Sequence, residues 1–318
     1  MNNSFNNKVV VVTGGSGYIG SSLINSLKSK PRKIIRVSRQ KLNPENEIED
    51  WQLDLSLNSS WLKIVSEADV IFHLSGNTSV YKAEKNEEES LISNVTPVNM
   101  LINAAKELSR RPRVIFASTA TVYGLTEKIP VFENLMPNPI TVYDSHKYLV
   151  EKKLSKASEE NIISAVSLRF SNVFGPSLIE ASESDRGILS KVVRLALEGE
   201  SIKIYGDGDF IRDYIYIEDV VEALIQVSII TSRKSIFNVA SGIGTSLKDV
   251  FSLVASEIEK ATGNKVHITN VEWPKGVSRI EKRNFVASID LLMSETSWCP
   301  KVSLKRGIQL LIRDYIDE

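Results

Sequence analysis

The run "KVVVVTGGSGYIGSS" at residues 8–22 constrains this chain more than any other stretch. Val9 to Val12 form a continuous apolar run, the pattern of a strand buried on both faces inside a parallel sheet. Gly14, Gly15, Gly17 and Gly20 follow at once, and Ile19, Leu23, Ile24 and Leu27 then recur with helical spacing up to Pro31. A buried strand must therefore hand over to a helix within a few residues. Glycine permits positive φ in such a turn, and its missing Cβ lets a ligand approach the backbone. The helix opens with free N–H groups and a partial positive charge at the same spot. The combination is an anion site suited to a pyrophosphate. The glycines parse two ways, as Gly15-x-Gly17-x-x-Gly20, the dinucleotide fingerprint, or as the wider Gly14-x-x-Gly17-x-x-Gly20.

The rest of the first half repeats the alternation. "KIIRVS" (33–38), "ADVIFHLSG" (68–76), "PRVIFAST" (112–119) and "NIISAVSLRFSNVFG" (161–175) read as strands. Residues 90–108, with Pro97 inside, and 141–160 read as helices. Strands alternating with helices imply an α/β fold with a doubly wound parallel sheet. After residue 175 the rhythm breaks. Residues 176–187 form a polar loop, 201–227 hold a strand, a glycine-rich turn, a second strand and a helix, and the tail from about 240 mixes short helices and strands. This predicts a dinucleotide-binding domain from 1–175 plus 211–240, and a smaller C-terminal α/β substrate-binding lobe from 176–210 plus 241–318.

Charge and composition exclude several classes. Lys and Arg number 39, as do Asp and Glu, so no global field draws the chain to nucleic acid or membrane. One cysteine, Cys299, forbids an internal disulfide and fits a reducing compartment. No apolar run is long enough to span a bilayer and the start carries no signal pattern, so a cytoplasmic location is expected. His73, His146 and His267 lie far apart, and no Cys/His cluster suggests a metal.

Tyr143 and Lys147 share a helix face as Y-x-x-x-K. A phenol with a pKa near ~10 can shuttle protons at neutral pH only where nearby positive charge favours the phenolate. Lys147 supplies such a charge, and an oxidised nicotinamide ring supplies more. Thr119 ends a parallel strand, where ligands of these sheets bind, and its hydroxyl can hydrogen-bond a reacting oxygen.

"TGGSGYIG", "ASTATVYG", "YDSHK", "LRFSNVFGP", "IYGDG", "RDYIYIEDVV" and "SWCP" together resemble, in order, the extended short-chain dehydrogenase/reductases: the nucleotide-sugar epimerases, dehydratases and reductases. The resemblance covers nearly the whole chain. It implies a Rossmann-like domain, with Thr119, Tyr143 and Lys147 as the catalytic set. It also implies a dinucleotide held by Gly14, Gly17, Tyr18, Ile19, Gly20, Ser38, Arg39, Asp54, Leu55, Leu74, Ser75, Gly76 and Asn94, with Tyr143 and Lys147 touching its nicotinamide end. Thr119, Asn172, Arg212 and Arg279 match positions that contact the sugar nucleotide, Arg212 by pairing with diphosphate. Helices near 90–108 and 142–158 match those that pair two family subunits through a four-helix bundle, so a homodimer is expected.

Two departures refine the expectation. NAD-selective members place an acid at the end of the second strand, to bond the ribose 2′-hydroxyl. Here Ser38 and Arg39 stand there, and no Asp or Glu occurs from Ser21 to Pro44. NADP(H) is accordingly favoured over NAD(H). In the 4,6-dehydratases the catalytic threonine is typically followed by Asp and Glu, where this chain has Ala120 and Thr121, so elimination of water is not expected. What remains is oxidoreduction at C4 of a nucleotide-linked sugar. The cofactor reading tilts this toward a 4-keto-sugar nucleotide reductase using NADPH. The alternative is a 4-epimerase like the UDP-glucose 4-epimerases, with bound NAD. A non-catalytic nucleotide-binding scaffold is the alternative from another class, and the intact Thr119, Tyr143 and Lys147 argue against it.

Overall fold

The computed structural model describes residues 5–178, 187–232 and 234–317. Most of the polar loop expected at 176–187 lies outside them. Val9–Thr13 forms β1, buried throughout. Val9 and Val11 enter one hydrophobic cluster, Val10 and Val12 another, because successive side chains of a strand point to opposite faces. At roughly 1.5–3 kcal/mol per buried aliphatic side chain, this strand is strongly driven to the middle of a sheet.

β1 pairs in parallel with β2 (Lys33–Ser38) and β4 (Val70–His73). With β3 (Ile48–Gln52), β5 (Arg113–Thr119), β6 (Ser164–Phe170) and β10 (Ile236–Val239) they make a seven-stranded sheet in the order β10-β6-β5-β4-β1-β2-β3. All its pairings are parallel. The helices α1 (Tyr18–Leu27) and α8 (Ile217–Ile229) cover one face. The other face carries α2 (Asn58–Glu67), α5 (Thr96–Glu107) and α6 (Val142–Glu159). The fold is a Rossmann-like α/β sandwich.

The sequence pattern missed β3 and α2. In β3, "IEDWQ", only Trp51 is buried, so no apolar run announces this edge strand. The segment 90–108 is two helices rather than one. It divides between α4 (Glu87–Asn94), preceded by the short α3 (Val80–Lys85), and α5. Pro97 sits in the first turn of α5, where its missing N–H costs nothing.

The stretch 161–175 also divides, at Ser171. Beyond it β7 (Asn172–Phe174) leaves the large sheet and pairs with β9 (Ile211–Tyr216), which pairs antiparallel with β11 (Gly244–Ser246). Of the segment 211–240, β9 therefore belongs to this small sheet, while α8 and β10 belong to the large one. β8 (Ile202–Tyr205) pairs with β12 (Ile268–Val271). α7 (Gly187–Leu197), α9 (Leu247–Thr262) and α11 (Leu304–Asp317) pack with these strands into a third cluster, so the tail includes long helices as well as the short α10 (Asp290–Glu295). No helix among the described residues is long and apolar enough to cross a membrane.

Strand order reverses between β1 and β4, and open sheets of this kind bind ligands beyond the strand ends at such a point. The two strand ends are joined by a 2.8 Å hydrogen bond between Thr13 Oγ1 and His73 Nδ1. Burial, assisted by the Lys147 charge, holds the His73 pKa at about 3, so the imidazole there is neutral.

α1 lies tight against the loop leaving β1. A Cβ on Gly20 would stand 2.1 Å from the Gly14 carbonyl oxygen and 2.8 Å from Gly15 Cα. Neither obstacle is a flexible side-chain end. Gly20→Ala is expected to destabilise the protein by about 2–4 kcal/mol, measured by urea unfolding, because backbone must move to admit the methyl group. A variant with unchanged stability would show that α1 can slide away freely.

Candidate active site

The glycine turn is shaped as an open cradle. Gly14 has φ +69°, and a Cβ there would lie 2.8 Å from the Ser75 nitrogen. Gly17, the N-cap of α1, supplies no side chain and donates its N–H to the Gly14 carbonyl at 2.9 Å. No acidic residue occupies the first turn of α1, so its positive end is left for an anion. Tyr18 anchors the turn by donating its hydroxyl to the Gly175 carbonyl at 3.0 Å. Ile19 and Leu74 pack against the core cluster behind it. The Ser75 hydroxyl donates to Thr13 Oγ1 at 3.1 Å.

Beside this cradle the structure brings Gly76, Asn94 and Lys147 together. A Cβ on Gly76 would lie 2.6 Å from Asn94 Oδ1 and 3.8 Å from Lys147 Nζ. Asn94 Oδ1 is buried without a hydrogen-bond partner, although its amide nitrogen donates to the Ser90 carbonyl at 3.1 Å. An unpaired buried acceptor costs on the order of 1–3 kcal/mol, so a ligand with a donor there removes a penalty. A surface without Cβ atoms, a free helix N-terminus and an orphaned buried acceptor suit a nicotinamide dinucleotide.

The adenosine-side candidates lie at the ends of β2 and β3. Ser38 Oγ accepts the Gln40 N–H at 3.1 Å, and Asp54 closes its own turn by accepting Ser56 N–H at 2.9 Å. Those Ser56 hydrogen bonds lower the Asp54 pKa, and Arg39 opposite lowers it further. Leu55 packs against the core, and its carbonyl accepts the Trp61 indole N–H at 2.8 Å. The acid-free stretch from residue 21 to 44 draws carboxylates from elsewhere. Lys28 meets Glu45 at 3.4 Å, and Lys33 meets Glu49 and Glu67, both at 2.8 Å. Arg36 holds Asp50 at 2.6 Å and also Glu45. Lys28, Lys33 and Arg36 are therefore spent on ion pairs, while Arg39 stays exposed.

Across the crevice, Thr119 ends β5 while Tyr143 and Lys147 lie on the buried face of α6. Thr141 caps that helix by accepting the Asp144 N–H at 3.1 Å. Lys147 Nζ donates to the Ala117 carbonyl at 2.8 Å and lies 5.8 Å from the Tyr143 ring centroid. The sequence suggested that this ammonium acidifies the phenol. In the structure, burial raises the Tyr143 pKa well above its ordinary value and Asp144 adds to the effect. Lys147, one turn away, is bonded to a carbonyl.

Burial also lowers the Lys147 pKa to about 8, against the opposing pull of Glu151 one turn further on. Glu151 is itself buried, bonded to Arg169 at 2.6 Å and to the Ser118 hydroxyl at 2.5 Å. Glu151 and Arg169 were invisible as site residues in the sequence, since only the α6–β6 packing joins them.

The substrate-side candidates gather on the small sheet. Asn172 donates its amide to the Asp213 carbonyl at 2.9 Å. Arg212 is buried, and its guanidinium donates to the carbonyls of Glu281 and Arg283. Burial and the neighbouring Arg283 lower its pKa to about 10. Arg279 is exposed on the short 3-10 helix Arg279–Lys282, the segment that Arg212 secures. Sequence reasoning missed Arg283 and Tyr214. Both carry buried atoms without partners, the guanidinium Nε and the phenol oxygen.

This arrangement is that of an NAD(P)-dependent nucleotide-sugar enzyme. The model of the NAD dependent epimerase/dehydratase family matches residues 10–240, and the chain belongs to that family. It is 26% identical to a putative UDP-glucose 4-epimerase of Methanocaldococcus jannaschii, covering 96% of this chain and 97% of that protein. The UDP-glucose 4-epimerase of Thermotoga maritima, solved with UDP-glucose, superposes with a TM-score of 0.85 at 26% identity, covering 97% of this chain and 99% of that one. The Thermus thermophilus UDP-glucose 4-epimerase, solved with NAD, gives 0.83 at 25% identity over 97% and 99%.

The buried Lys147 ammonium yields a pH prediction. Its folded pKa of about 8 lies below the ordinary lysine value of 10.5, so between these values the unfolded chain holds a proton that the folded protein has released. Stability contributed by this group therefore rises with pH across that window. Lys147→Met is expected to be more stable than wild type at pH 7, by about 1–3 kcal/mol, and to lose the rise above pH 8. Urea unfolding at several pH values measures both. A less stable variant with an unchanged slope would show that the ammonium carries no such cost.

Proposed function

We propose that the protein is a nucleotide-sugar 4-epimerase acting on a UDP-linked hexose, with a dinucleotide retained through the cycle. The observation that carries this is the meeting of Gly76, the unpartnered Asn94 Oδ1 and Lys147 Nζ beside the glycine turn, with Lys147 on the same buried helix face as Tyr143. The resemblance to epimerases solved with UDP-glucose and with NAD supports the substrate class. Hydride transfer to and from sugar C4 is the chemistry a nicotinamide dinucleotide supplies when bound.

The chain's own residues do the rest. Gly14, Gly17 and the α1 N-terminus hold the pyrophosphate, Asp54 and Arg39 border the adenosine, and Asn94 and Lys147 bind the nicotinamide ribose. Tyr143 exchanges the proton of the sugar O4, and Thr119 orients and polarises that oxygen. Arg212, Arg279 and Asn172 take the sugar nucleotide on the smaller lobe. Arg283 Nε and the Tyr214 hydroxyl add unsatisfied donors beside Arg212, suited to diphosphate oxygens. The large sheet thus serves the cofactor and the small sheet the substrate. A homodimer is part of the proposal, since α4 exposes Leu91 and Ile92 next to α6.

A 4-keto-sugar reductase using NADPH is the second reading, favoured by exposed Arg39 beside Ser38. One experiment separates the two. Natively purified protein is examined by mass spectrometry and then given UDP-glucose or UDP-N-acetylglucosamine. Retained NAD and interconversion of the C4 epimers, without added cofactor, are expected. Tyr143→Phe should lower the rate by about a hundredfold or more while keeping the dinucleotide. Turnover only with added NADPH and a 4-keto sugar nucleotide, with NADPH affinity lost in Arg39→Ala, would establish the reductase instead.

A further inference from the structure

Two groups that this mechanism does not use reach its centre. Asp144 follows Tyr143 in the first turn of α6 and is fully buried. One carboxylate oxygen accepts the Thr121 hydroxyl, and the other accepts the Thr141 hydroxyl at 2.7 Å. Thr121 Oγ1 lies 2.8 Å from Thr119 Oγ1, which also accepts the Thr121 N–H at 3.2 Å. Asp144, Thr121 and Thr119 thus form an unbroken line of oxygen atoms from the helix interior to the end of β5.

We propose that this line is a proton relay, with Asp144 as a second proton store beside Tyr143 and Thr121 as the link to the oxygen that Thr119 touches. It rests on the proposed oxidoreduction at a sugar carbon. The direction of the hydrogen bonds gives the reason. With Asp144 ionised, Thr121 spends its only proton on the carboxylate and accepts the proton of Thr119. Thr119 is then left as an acceptor, which suits a substrate hydroxyl. With Asp144 protonated, the two hydroxyl bonds of the line can reverse, and Thr119 becomes a donor, which suits a substrate ketone.

The balance closes with one proton, carried to the sugar oxygen along this line in place of the Tyr143 proton, while the Tyr143 hydroxyl stays hydrogen-bonded to that oxygen. When a ketone carbon gains hydride from a reduced nicotinamide, its oxygen takes the Thr119 proton, Thr119 takes that of Thr121, and Thr121 takes that of Asp144. The C=O π bond is lost, an alcohol O–H forms, the nicotinamide is oxidised and Asp144 ends as carboxylate. Alcohol oxidation reverses each transfer.

The surroundings keep the carboxyl adjustable. Burial raises its pKa from the ordinary carboxylate value and Glu84 adds to this, while the two threonine hydroxyls and Arg283 oppose it. Tyr143 is its titratable neighbour on α6. The sequence has no acid at residues 120 and 121, and the fold brings a carboxyl to Thr121 from α6 instead. Asp144 is a positioning and proton-storing residue here, because it reaches the substrate only through the threonines.

Thr121→Val, nearly isosteric and at a half-buried site, is the main test, with Asp144→Asn and Thr121→Ser beside it. With UDP-glucose and NAD-loaded protein, Thr121→Val and Asp144→Asn should each lower kcat about a hundredfold, with KM within about threefold and one ionisation missing from the kcat–pH profile. Thr121→Ser should recover the rate to within about threefold. Full kcat in Thr121→Val, or no recovery by serine, overturns the relay. A second readout needs no turnover. The wild-type-minus-Asp144→Asn infrared difference isolates one carboxyl band. Its titration midpoint should rise by about one pH unit in Thr121→Val, since a hydrogen bond to the ionised form is lost. An unmoved midpoint overturns the link for any substrate. Wild-type protein inert toward UDP-glucose and UDP-N-acetylglucosamine would refute the proposed function, whereas an unmoved infrared midpoint in active protein would refute the relay alone.

Discussion

The constraint on which the rest of the structure depends is the close approach of Gly20 to the carbonyl of Gly14, where even one carbon atom would collide. That contact presses the first turn of α1 against the exit of β1. It aims a helix N-terminus without a side-chain cap at the point where the strand order reverses. The Thr13–His73 hydrogen bond ties the two strands flanking that point. A floor of backbone results, with the positive end of α1 left open to an anion.

Opposite the floor, α6 carries a row of polar side chains on a buried face: Tyr143, Asp144, Lys147 and Glu151. Each would be costly there alone, and the three charged ones are offset by specific partners. Ala117 takes the ammonium, Arg169 and Ser118 take the Glu151 carboxylate, and Thr121 and Thr141 take Asp144. These pairings fix rotamers within a helix already held by the sheet, which is the pre-organisation that proton transfer needs. Burial is not fully compensated, as the raised phenol and lowered ammonium pKa values show.

The two sheets meet at Ser171, where the chain passes from β6 of the large sheet into β7 of the small one. Ser171 donates its N–H to the Val239 carbonyl at 3.0 Å, and its hydroxyl reaches Asp213 at 3.5 Å. Asp213 in turn accepts the N–H groups of Ser241, Gly242 and Ala287. One buried carboxylate on β9 therefore sets the small sheet relative to β10, and with it Arg212 on the same strand. The unsatisfied atoms of Asn94, Tyr214 and Arg283 are buried polar groups that the fold leaves without partners, consistent with sites completed by ligand.

The amino-acid sequence by itself determined the alternating strands and helices, the parallel central sheet, the glycine turn and the placing of Tyr143 and Lys147 on one helix face. Each of these is a short-range pattern whose period or spacing carries its own physics. It did not reveal β3, whose single buried tryptophan makes no pattern, nor the division at Ser171, because a strand that changes sheets reads as one apolar run. Only the tertiary structure decided which charges cancel. The acids that neutralise Lys28, Lys33 and Arg36 arrive from outside the basic stretch. It alone placed Asp144 against Thr121, Glu151 against Arg169, and Lys147 on a carbonyl rather than on the phenol. A side chain's protonation depends on what surrounds it in space, and those neighbours come from elements far apart along the chain.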